Sequence, residues 1–175
     1  MLDAEARIAD GIHASFDAVC AWIATQPNDR FEHGPEGRWT MGQHLDHLIR
    51  SARPLTIALR LPKPALVISF GASTTMSRSY DEIAAEYEGK LKDGAGASGR
   101  FVPKPVRVND KPILLRRYQQ EADRLSLVIK KWDEESLDSY ALPHPILGKL
   151  TVREMLYFTI HHNRHHLETL KRDYG

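Results

Sequence analysis

Apolar positions recur at three- and four-residue spacings in four separate stretches of the chain, a pattern of helices that each bury one face. The first runs from Leu2 to about Thr25, with Ile8, Ile12, Phe16, Val19, Cys20 and Ile23 in phase. It stops at QPNDRFEHGPEGR, a loop rich in breakers. The second begins near Thr40, a natural N-cap, and continues through MGQHLDHLIRSARPLTIAL, where Pro54 predicts a kink or an end. The third spans about Lys111 to Asp133 and carries Leu114, Tyr118, Leu125, Leu127 and Trp132 on its apolar side. The fourth follows Thr151, which forms a capping box with Glu154 three residues on.

The connections are long. RLPKPALVISFGASTTMSRSY reads as an irregular crossover, and about Asp81 to Lys92 as a short helix ended by a glycine-rich loop. Strand signal is confined to LVISF and RFVPKPVRV, and proline breaks the second. EESLDSYALPHPILGKL reads as a plain connection to the last helix. The expected fold is therefore all-α, a four-helix bundle with long crossover connections and a short extra helix. With 175 residues, 42% of them hydrophobic, one domain over residues 1–175 is expected to hold a single core.

Charge narrows the partners. Lys and Arg number 24 against 23 Asp and Glu, a formal net charge of +1, which argues against a nucleic-acid partner. The single cysteine, Cys20, excludes an intramolecular disulfide and reads as a small buried hydrophobe rather than a nucleophile. The first residues carry charge from Asp3 onward with no apolar signal region, and no run approaches the roughly 18 apolar residues of a membrane span. A soluble, cytoplasmic protein is expected.

The candidate chemistry lies in HHNRHH, where His161, His162, His165 and His166 form two overlapping i,i+4 pairs. Residues four apart on a helix sit only about 40° from each other, so either pair could converge on one metal ion. The helical wheel separates them. His162 and His166 fall in the apolar arc with Met155, Thr159 and Leu170, whereas His161 and His165 share a sector with Glu154, Glu168 and Arg172. Two inward imidazoles without a partner would be costly, and a metal would satisfy both. A third ligand is then needed from another inward face. The second helix offers His44 and His47, and the wheel leaves that choice open.

Three stretches, RWTMGQHLDHL, LPHPILGKLTVREML and HHNRHHLETL, together resemble the DinB-like superfamily, the DinB/YfiT-type four-helix bundles. The resemblance implies three histidines around one divalent metal at one end of a cavity. Nickel or zinc would be the usual ion, with manganese or iron as further occupants. It selects His47, which is followed by Leu48 and stands eight residues after Trp39, together with His162 and His166. Several members resemble thiol-dependent S-transferases that use low-molecular-weight thiols, others resemble hydrolases, and related bundles are often homodimers.

An open three-histidine site can lower the pKa of a bound water or present a thiolate as nucleophile. The expected function is a metal-dependent S-transferase or hydrolase acting on a small-molecule substrate. The competing expectation is a non-catalytic, dimeric, stress-related accessory bundle whose metal is structural or absent. Gln43, one turn before His47, reads as an ordinary polar helix residue rather than a hydrogen-bond partner of ligand or substrate, Trp39 as a residue packing at the helix entrance, and His144 as a turn residue rather than a fourth ligand.

Overall fold

The structure, a computed structural model, describes residues 4–175, with side chains from residue 7 onward. The expected helix start at Leu2 lies outside the described residues. Four long helices carry the architecture: α1 (Ala4–Thr25), α3 (Met41–Ala58), α6 (Lys111–Ile129) and α8 (Val152–Tyr174), with short α2 (Asp29–Glu32) between the first two. Helix α1 packs on α6 and α8, and α3 packs on the same two, so α1 and α3 stand diagonally across an all-α bundle. Ile12, Phe16, Leu45, Leu125 and Leu156 are fully buried along its axis, and the Phe16 and Tyr118 rings stack at 4.3 Å. No described helix is long and apolar enough to cross a membrane.

Local chemistry explains the helix starts. Thr40 accepts a hydrogen bond from the Gln43 backbone N–H, while the Gln43 side chain accepts from Thr40 N–H, closing a capping box on α3. Gln43 thus serves helix entry. Thr151 and Glu154 close the expected box on α8, and Ser79 and Glu82 close a third on α5 (Tyr80–Lys92). Glu154 also accepts from Arg78 N–H and Nε, tying the crossover to α8 at its first turn.

Five expectations are corrected. Of the kink or end expected at Pro54, the end is overturned: α3 continues to Ala58, with Leu55 and Thr56 buried beyond it. LVISF is not a strand: it lies in α4 (Lys63–Phe70), where Pro64 suits the first turn and only Leu66 is buried. The breaker-rich loop contains α2, held by the fully buried Phe31. The long helix stops at Ile129, before Asp133, and Leu127 is 63% exposed rather than on the buried side. The connection that follows holds α7 (Glu134–Ser139) and an antiparallel hairpin, β1 (Ala141–His144) with β2 (Gly148–Thr151). Prolines at 143 and 145 mask that hairpin in the sequence. Its turn is closed by the His144 ring, whose Nδ1 accepts from the Ile146 and Leu147 N–H groups, and by Gly148 at φ 73°.

Candidate metal centre

Helices α3 and α8 pack directly against each other, and their facing histidines meet at that contact. The four-residue spacing on α8 stacks His162 over His166, and both are buried. Their Nε2 atoms lie 3.1 Å apart. His47, buried on α3, places its own Nε2 3.1 Å from that of His162. Ligand atoms of these three side chains all lie within 4.8 Å of one another.

The outer nitrogens decide which lone pairs point inward. His47 Nδ1–H donates to the Phe101 carbonyl at 2.7 Å, so the neutral ring presents an unprotonated Nε2 to the cluster. His166 Nδ1 lies 2.8 Å from Nδ1 of His44, and one of the two must donate. With His166 as donor, its Nε2 is also a free lone pair. His44 is then an outer hydrogen-bond partner of the kind that orients a ligating imidazole.

Electrostatics favours neutral rings. Burial lowers His162 and His166 well below the usual imidazole range, with neighbouring histidines adding to the effect. Burial, then the adjacent His47, brings His44 down to about 4, and burial also lowers His47. A cluster of buried, unprotonated imidazoles with at least two lone pairs converging is under-satisfied by its own N–H groups. The donor set therefore fits a divalent cation. Trp39 walls one side, its ring parallel to His166 at 6.1 Å and tilted over His47 at 5.0 Å. Phe158 stacks on His162 at 5.0 Å from the other.

A family model, that of the DinB superfamily, matches residues 11–170. The chain belongs to the DinB superfamily. None of the curated proteins compared matches it.

In this DinB bundle the outward histidines have a separate task. His161 Nε2 and His165 Nδ1 both lie 2.9 Å from one carboxylate oxygen of Glu88 on α5. Partial burial works against that carboxylate's charge, but hydrogen bonds from the two histidines outweigh it and hold its pKa low. The pair thus anchors α5 to α8. Cys20 is half-buried on α1, and burial, with Asp17 adding, pushes its thiol up to about 11, consistent with an inert side chain. Asp46 bonds Arg50 Nε and the Lys104 N–H instead of a histidine.

A cavity of about 580 Å³ opens beside the cluster, with His47 and His162 in its wall. Leu48, Leu55, Leu142, Met155 and Phe158 make most of its lining apolar. His144 also lines it. Since its Nδ1 accepts two backbone N–H groups, the neutral ring carries its proton on Nε2, and burial brings its pKa down to about 4. The Phe101 carbonyl had no sequence signal, being 54 residues from His47 at the end of a single 3-10 turn, Gly99–Phe101.

Proposed function

We propose that this protein is a metal-dependent enzyme acting on a small substrate, a thiol-dependent S-transferase or a hydrolase, with a divalent ion held by His47, His162 and His166. The observation that carries the reading is the convergence of three Nε2 atoms at the wall of an apolar cavity. Three neutral imidazoles suit nickel or zinc, and also manganese or iron. When bound, such an ion supplies positive charge that favours the deprotonated form of a water or thiol brought to it.

The chain's own residues do the rest. The Phe101 carbonyl and His44 hold the His47 and His166 rings with Nε2 free. Trp39 and Phe158 pack against the rings and keep water from their faces. His144 keeps a proton on Nε2 at neutral pH and offers it as a hydrogen bond to a substrate in the cavity. A closed structural site would need a fourth protein ligand, and among the described residues the cluster contains three.

Equilibrium dialysis of untagged protein against nickel, zinc or manganese, followed by elemental analysis, tests this. Wild type is expected to take one ion per chain and His162→Ala none. Loaded wild type should then consume a low-molecular-weight thiol with an electrophilic acceptor, or hydrolyse an ester, faster than His162→Ala. Absence of stoichiometric metal, or no rate advantage in either assay, sinks the reading.

A further inference from the structure

The cavity beside the histidines has one sign of charge. Arg50, Arg53 and Arg100 line it, and no Asp or Glu does so among the described residues. Arg50 is already committed: its Nε donates to Asp46 at 2.6 Å and its Nη1 to the Arg100 carbonyl at 3.3 Å. Arg53 and Arg100 are different. Both are exposed, and among the described residues neither has a carboxylate partner. The Arg100 guanidinium lies 5.1 Å from the Phe101 ring centroid, in the segment whose carbonyl holds His47. Arg53 follows His47 by six residues on α3, a rise of about 9 Å. The cationic rim and the histidine cluster are therefore a short molecule's length apart.

Between them the wall is apolar, and Ile57 and Leu61, 54% and 41% exposed, continue that surface outward to the mouth. An apolar wall rewards an apolar ligand body at roughly 25 cal/mol per Å² buried. Each unpaired guanidinium offers a planar fork of donors that matches an oxyanion. Same-sign charge around a cleft with low-dielectric walls concentrates anions at its mouth.

We propose that the cavity binds a small amphiphilic anion, with its apolar body among Leu48, Leu55, Met155 and Phe158 and its anionic head at Arg53 and Arg100. This names the substrate class of the site and rests on reading the cavity as the enzyme's substrate pocket. A carboxylate, sulfate or phosphate head shares the required chemistry.

Calorimetric titration of chelator-treated protein at pH 7.5 with decanoate, decanol and decylamine tests it. Decanoate should bind more tightly than the two others. In the R53Q/R100Q double variant that advantage should shrink by about three- to tenfold, while decanol is unchanged, and R53K/R100K should restore part of it. Both arginines are exposed, so unchanged thermal melting is expected to accompany the loss. Equal binding of decanoate and decanol, or a preference that survives R53Q/R100Q, overturns the proposal. So does a preference that appears only after metal is restored, since the anion would then sit on the metal; that outcome leaves the metal reading intact. Conversely, a preference lost in R53Q/R100Q by a protein that never holds metal supports the proposal while the enzyme reading fails. Decyl sulfate and decyl phosphate, titrated alongside, distinguish the head groups.

Discussion

At His166 two ring nitrogens have two different tasks. Nε2 faces His162, and Nδ1 faces His44 at 2.8 Å. If His44 is an outer partner rather than a ligand, His44→Phe should keep the one-ion stoichiometry but weaken metal affinity by about 10- to 100-fold. Competition against a chromophoric chelator measures this, and complete loss of the ion would make His44 a ligand. At this scale the sequence separates His162 and His166 from His161 and His165, because angles within one helix are local and follow from spacing alone. His44 and His47 are not separable that way, since both are buried and both touch α8. What distinguishes them is the Phe101 carbonyl, supplied by a segment remote in sequence.

The first turn of α3, which positions His47, approaches its neighbours closely. A Cβ on Gly42, in the first turn of α3, would meet Val106 Cβ at 2.9 Å and the Phe31 carbonyl at 3.0 Å. Gly42→Ala should therefore destabilise the protein by about 1–3 kcal/mol. Gly89 on α5 meets nothing within 4 Å, and Gly89→Ala should be stabilising by about 0.5–1 kcal/mol. Urea denaturation of the two variants gives opposite signs, and a matched response would refute the close packing. Helix starts were legible in the sequence because the Thr40 cap and the Thr151/Glu154 capping box lie within a few residues of each start. The β1–β2 hairpin was not, because its turn depends on a side-chain acceptor, His144, where the residues show only prolines. LVISF misled for the opposite reason: its β-branched residues suggest a strand, but Pro64 in the first turn and buried Leu66 favour a helix.

For the molecule as a whole, the proposed metal site would couple folding to the ion, and the buried histidines couple it to pH. An ion that binds only the folded chain stabilises it by about 2.7 kcal/mol at a hundredfold excess over Kd. Saturating nickel or zinc should thus raise the melting temperature of wild type and leave His162→Ala unmoved; equal shifts would place the ion elsewhere. Without metal, His44 and His144 are held at about 4 against an ordinary 6.5, and His47, His162 and His166 are lowered too. Above pH 6.5 neither folded nor unfolded chain carries those protons, and stability is full. As pH falls from about 6.5 toward 4, the unfolded chain takes up protons that the folded chain refuses, so stability declines. The urea midpoint of metal-free protein should drop across that window and drop less steeply in His44→Phe; a flat midpoint would contradict burial of neutral rings.

The sequence by itself determined the four amphipathic helices, their caps and the inward pair His162 and His166, since each depends on spacings of three or four residues within one element. The tertiary structure alone decided that α3 faces α8, that the Phe101 carbonyl turns His47 Nε2 toward His162, and that Glu88 ties down the outward pair. Those contacts join residues 54 to 115 positions apart, and their partners are chosen by how helix faces pack rather than by any local pattern.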